Sequence, residues 1–178
     1  FKDKKERYVV KKDEEWGITI VVPWYWEMAK TDGRYRFKVH YVQGYCNNCT
    51  IERIPDFVGD LNDSQQFVLD KISNSKNFAM VDCNVKASKP LLSKFIEYTY
   101  TSEDGRPMRE LVALILREPN LFIVRFTSLS RYFESGRDDF LSFEKANDFT
   151  DNLLNPNDIT TKYSVFKNRP FSGKMNQE

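Results

Sequence analysis

The chain has 178 residues, 40% of them hydrophobic and 30% charged, which is the size and balance of one globular domain with a substantial core. Its Lys+Arg total of 27 against 26 Asp+Glu leaves a formal charge of +1, so no overall field draws in nucleic acid or an anionic membrane. No stretch approaches the roughly 18 apolar residues of a spanning helix, and one His with three Cys leaves little from which to build a triad or a metal cage.

Residues 1–15 mix six basic and five acidic side chains around a Tyr-Val-Val patch and read as a solvated, flexible arm. The chain opens on Phe1 rather than Met, which allows a processed form and leaves the compartment illegible from composition. Trp16 to Val22 is a β-branched run stopped by Pro23 and predicts the first strand. After Trp24-Tyr25-Trp26 and a turn at Asp32-Gly33, Tyr35, Phe37, Val39 and Tyr41 alternate with Arg36, Lys38 and His40, the pattern of a half-buried strand. Gly44 to Cys49 reads as a loop, and Thr50 to Ile54 as a third strand.

Asp63 with Gln66 three residues on resembles a capping box, and Phe67, Val68, Leu69 and Ile72 give the helix that follows, over about 63–74, its apolar face. Extended segments are expected near 78–86, 93–101, 108–117 and 121–127, separated by Lys89-Pro90, Glu103-Asp104-Gly105 and Glu118-Pro119-Asn120. From Arg137, the positions Phe140, Leu141, Phe143, Ala146, Phe149 and Leu153 fit a helical stripe that Asn155-Pro156 ends. The economical arrangement is α+β: a largely antiparallel β-sheet with helices packed on its faces, spanning 16–155 between the arm and a polar tail at 156–178.

The order of these elements resembles the PsbP proteins, whose fold is also seen in the Ran-binding Mog proteins. The resemblance is carried by Trp16 to Pro23 with Trp26, by Phe57 to Leu61 before the helix, and by Phe95 to Thr101, Asp104-Gly105, Leu111 to Leu116 and Leu121 to Val124. Arg131-Tyr132-Phe133 with Gly136 completes it, resembling the arginine-aromatic signature before the family's last helix. Departures are Pro119-Asn120, the CxxC loop and the tail after Asn155. The resemblance implies an αβα sandwich and a non-catalytic extrinsic subunit of a photosynthetic membrane complex, photosystem II first, peripheral to the thylakoid membrane on its lumenal side. Its partners would be photosystem core subunits, with no cofactor. Calcium or chloride retention is left open, because the segment 1–15 is shorter than the family's arm. The alternative is a binding module of the same fold in a non-photosynthetic assembly, such as a GTPase binder.

The candidate partner-binding residues are Arg131, Tyr132, Trp24 and Tyr25, since arginine and exposed aromatics concentrate interface energy. Against this stand an internal ion pair for Arg131 at the start of the last helix and a core-closing role for the tryptophans. Cys46 and Cys49 could be an inert pair in a loop, a disulfide in an oxidising lumen, a redox pair or half of a zinc site; a zinc site wants four ligands. Cys83 reads as a small core residue. His40 falls on a solvated face, and Asp138, Asp139 and Glu134 read as carboxylates complementing a helix N-terminus rather than as calcium ligands.

Overall fold

The computed structural model describes residues 8–42, 45–86 and 93–147, with the backbone alone at 40–42, 45, 46, 84–86 and 145. In chain order the elements are β1 (Tyr8–Asp13), β2 (Ile18–Pro23), β3 (Glu27–Thr31), β4 (Arg34–Val42), β5 (Tyr45–Ile54), α1 (Leu61–Ile72), β6 (Ala79–Lys86), β7 (Ser93–Thr101), β8 (Pro107–Arg117), β9 (Asn120–Leu129), a 3₁₀ turn (Ser130–Tyr132) and α2 (Phe133–Ala146). Strands β3 to β9 form one antiparallel sheet in the order β3-β4-β5-β9-β8-β7-β6, and β1 pairs with β2 in a separate ribbon. The four late strands begin and end within two residues of the predicted segments. The expected α+β class therefore holds.

Two cores follow from the alternation of side chains. On one face the ribbon and α2 cover Phe37, Ile51, Phe95, Ala113, Val124 and Phe126; on the other, α1 covers Ile96, Tyr98, Val112, Leu114 and Ile123. Phe126 lies 5.6 Å from Phe133 and 5.4 Å from Phe140, while Phe143 sits 5.5 Å from Trp26 and 5.4 Å from Phe37. Offset and tilted ring pairs at such spacings add to the gain from burying large apolar surfaces.

Several elements differ from expectation, each for a physical reason. Tyr8 to Asp13 is a strand rather than a free arm, registered from Tyr8 opposite Pro23 to Asp13 opposite Ile18. Tyr8, Val9 and Val10 pack on the core while Lys11 and Lys12 stay exposed. β3 has Met28 half-buried among exposed neighbours, so its sequence shows no period. It is set instead by the Asp32-Gly33 turn, whose φ values of +53° and +70° are those of the two-residue hairpin such pairs favour.

The predicted loop at 44–49 is the first half of β5 in its described part. Asn47, a turn former by propensity, is fully buried there and accepts a 2.7 Å hydrogen bond from the Ser128 hydroxyl. The capping box lies three residues earlier than predicted: Asp60 is the N-cap and accepts from the Asp63 N–H, and Asp63 accepts from the Asp60 N–H. α2 begins at Phe133 and leaves helical backbone at Asn147, whose amide bonds the N–H and the C=O of Val21 at 2.8 and 2.9 Å. Asn147 thus occupies the ribbon's free edge as a peptide group would. Residues 148–155, the rest of the predicted helix, and the tail at 156–178 lie outside the described residues.

Asp13, 5% exposed, accepts from the Trp16 N–H at 2.9 Å, from Lys30 at 2.9 Å and from the Tyr35 hydroxyl at 2.5 Å. Burial pushes its carboxyl up, but the bonds from Tyr35, Lys30 and Trp16 together outweigh this and hold it below its ordinary value. A depressed folded-state value means stability that is present above the unfolded value of about 3.9 and lost as pH falls through the lower folded one. Asp13→Asn is therefore expected to lose about 1–3 kcal/mol at neutral pH. The gap to wild type should narrow below about pH 4, as read by urea unfolding at the two pH values; an unchanged gap would refute it.

Candidate functional site

Three buried carboxylates, two on the sheet and one on the β1–β2 ribbon, are locked into ionic networks. Glu97 on β7, 4% exposed, accepts from Arg109 Nε of β8 at 2.5 Å and from both terminal nitrogens of Arg137 of α2 at 3.2 and 3.0 Å. Arg137 also holds Glu134 through two 3.0 Å bonds, and the Phe133 ring lies 5.0 and 4.8 Å from the Arg109 and Arg137 guanidiniums. The bonds to Glu134, followed by those to Glu97, raise the Arg137 guanidinium further above its ordinary value despite its burial, and Arg137 in turn holds Glu134 below its own.

On the opposite face Glu110 accepts from Tyr98 at 2.5 Å, Tyr100 at 2.7 Å and Thr127 at 3.1 Å, and pairs with Arg125 at 3.3 Å. Burial, then the Glu110 charge, pushes the Tyr98 phenol upward. With Asp13, these are buried carboxylates held by several donors each, an arrangement that fixes strands and α2 in place.

The predicted docking residues fall on two connections. Trp24, 54% exposed, meets Tyr25 edge-on at 5.9 Å between β2 and β3. Trp26 beside them is buried against Phe143. Arg131, exposed in the 3₁₀ turn, lays its guanidinium 5.0 Å from the Tyr132 ring. The ion pair at the start of α2 belongs to Arg137, not to Arg131. The two pairs are not brought together by the sheet order: β3 and β9 are three strands apart, about 14 Å at ordinary strand spacing.

The disulfide expectation fails on backbone geometry. Cys46 and Cys49 lie in one extended strand, where three residues span about 10 Å, beyond the roughly 7 Å between Cα atoms that a bridge tolerates. Cys49 is a free, fully buried thiol whose value burial pushes well up, which disfavours the thiolate a redox site needs. Cys83 is exposed rather than in the core, its Sγ 3.3 Å from Gln65 Oε1. Asp139 is buried within α2. Among the described residues no group of three His, Cys, Asp or Glu is placed to hold a metal. The side chains of His40 and Cys46 are outside what is described.

One surface escaped the sequence reading. Among the described residues α1 covers the β7–β8 side of its sheet face together with Ile123 of β9, leaving the side formed by β3, β4, β5 and the rest of β9 without a helix over it. The register aligns Ala29, Arg36, Thr50 and Arg125 across these strands in one row, Thr31, Arg34, Glu52 and Ile123 in the next, and Glu27, Lys38, Asn48 and Thr127 in a third. Where this open side meets α1 lies a cavity of about 250 Å³, walled by Phe67, Val68, Ile72 and Ile123 on one hand and Arg34, Lys71 and Arg125 on the other, with Glu52 and Glu110. The alternation of β4 marks Arg34, Arg36 and Lys38 as one face; what the sequence does not show is that no helix among the described residues covers them.

No protein-family model matches the chain, nor does any curated protein sequence. Solved structures do share its fold. Cyanobacterial PsbP from Synechocystis sp. PCC 6803 is 14% identical with a TM-score of 0.56, over 77% of this chain and 89% of that one. A Pseudomonas aeruginosa protein of unknown function is 15% identical with a TM-score of 0.54, over 76% and 92%. The Ran-binding protein Mog1p of Saccharomyces cerevisiae is 12% identical with a TM-score of 0.51, over 90% of both. The chain has the α+β fold that PsbP and Mog1p share, as the order of motifs implied. Among the described residues no helix is long and apolar enough to cross a membrane.

Proposed function

We propose that the chain is a non-catalytic docking subunit of a larger protein assembly. The observation that carries this reading is the division of labour at α2: Arg137 serves the internal ion pair, while Arg131 stands exposed on Tyr132 with its fork available for a partner carboxylate. Exposed Trp24 on Tyr25 is a second loop-borne aromatic element on the same rigid sheet. The specific assembly proposed is a photosynthetic membrane complex, photosystem II in first place, with the chain peripheral on the lumenal side; the likeness to cyanobacterial PsbP supports it. A second reading, a GTPase-binding module, draws on the likeness to Mog1p, which extends over 90% of this chain.

Purification of the native protein under mild detergent, with mass spectrometry of what accompanies it, tests the assembly. Recovery of photosystem core subunits supports the first reading, and recovery of a Ran-type GTPase instead replaces it by the second. Arg131→Ala and Trp24→Ala should leave stability within about 0.5 kcal/mol of wild type, as exposed substitutions do, while depleting the partner; full retention of the partner by both variants would remove these residues from the interface.

A further inference from the structure

The open side of the sheet carries more cations than it neutralises. Arg34 is engaged by Glu52 at 3.6 Å and Arg125 by Glu110 at 3.3 Å. Arg36, Lys38 and Lys71 have no carboxylate within ion-pair distance among the described residues; Lys71 rests 4.3 Å from the Phe67 ring centre, and Glu27 stands opposite Lys38 across the ladder without closing a pair. Arg34, Arg36 and Lys38 follow one another at every second position of β4, roughly 7 Å apart along the strand. Arg36 and Lys38 are exposed, and the row through Arg36 leads by way of Thr50 to Arg125 at the mouth of the cavity beside α1.

We propose that this surface, from β4 to the cavity beside α1, binds an acidic segment of a partner protein. The spacing of Arg36 and Lys38 matches carboxylates at alternate positions of an extended peptide. The cavity offers apolar contact from Phe67, Ile72 and Ile123 beside the charges of Arg34, Lys71 and Arg125, so it takes a side chain that follows the acidic run. Glu27, Glu52 and Glu110 are interspersed with the cations. A peptide can set neutral or donor groups against these carboxylates, whereas a continuous phosphate backbone would bring anions onto them. The surface lies on the sheet face opposite α2, so the inference goes beyond the docking role assigned to Arg131 and Trp24 and stands or falls independently of it.

The test uses the purified chain and a fluorescein-labelled peptide of alternating Glu and Ser with one central Phe, followed by fluorescence anisotropy. Wild type should bind, with affinity falling as salt rises. Arg36→Glu with Lys38→Glu should weaken binding about tenfold or more, and Lys71→Glu should weaken it measurably. Lys11→Glu with Lys12→Glu makes the same change in net charge on exposed positions of the β1 ribbon and should have little effect. If the Glu pair disturbs folding by circular dichroism, Arg36→Gln with Lys38→Gln keeps the comparison. Absence of peptide binding, or equal loss in the Lys11 and Lys12 variant, overturns the proposal. So does tighter binding of a single-stranded oligonucleotide or an anionic phospholipid vesicle that the β4 variant abolishes.

Discussion

Glu97→Ala is expected to destabilise the protein by about 3 kcal/mol, because breaking a buried ion pair from one side strands the charge left behind. Two guanidiniums lose their shared carboxylate here: that of Arg109, and that of Arg137, which keeps only the exposed Glu134, both lying against the Phe133 ring. Their side chains are 25% and 27% exposed, and water relieves part of the penalty, which places the estimate at the lower end of the range for such pairs. Glu134→Ala removes another carboxylate from Arg137, but Glu134 is 69% exposed and its loss should cost under about 1 kcal/mol. Urea unfolding of the two variants side by side makes the check. A Glu97 variant no less stable than the Glu134 one would mean that the network contributes nothing beyond a surface pair.

Phe126→Ala is expected to cost about 4 kcal/mol, the middle of the range for a buried phenylalanine. The ring is inaccessible, packs between Phe133 and Phe140, and lies against the one glycine of α2. That glycine makes the argument separable from mere loss of volume. Replacing a helical glycine by alanine ordinarily gains up to about 1 kcal/mol. At Gly136, however, a Cβ would lie 2.6 Å from Phe126 Cζ and 2.9 Å from Asn47 Nδ2, so Gly136→Ala should destabilise through overpacking. In the Phe126→Ala background part of that clash is gone, and the second substitution should cost less than it does alone. Additive effects in the double variant would show that the ring does not set the distance between α2 and the sheet.

Particular residues show where sequence reasoning succeeds. β7, β8 and β9 carry long apolar stretches bounded by Asp104-Gly105 and Pro119-Asn120, and local signals of that strength survive folding. β1 was hidden because a three-residue apolar patch is diluted by eleven charges, one of which, Asp13, is buried and matched by Tyr35 and Lys30. In β5, Asn47 signals a turn, yet its amide is satisfied by Ser128, 81 positions away. Asn147 reaches Val21 across 126 positions and stands as the C-cap of α2. No window of sequence contains both partners of these bonds.

The candidate surfaces divide in the same way. That Trp24 sits on a connection was legible from Pro23 before it, and that Arg131 does was legible from its place between the last expected strand and the last helix. That Arg131 is exposed while Arg137 is spent on Glu97 was not, since both arginines flank the same helix start. The sequence alone determined the α+β class, the antiparallel order of the late strands and the near-neutral charge. Alternation tells which side chains share a face, and that is a local property of the backbone. Which face is covered depends on where α1, α2 and the β1–β2 ribbon come to rest, a matter of packing between residues far apart in the chain, and so only the tertiary structure decided that Glu97 would be buried and Arg36 left exposed.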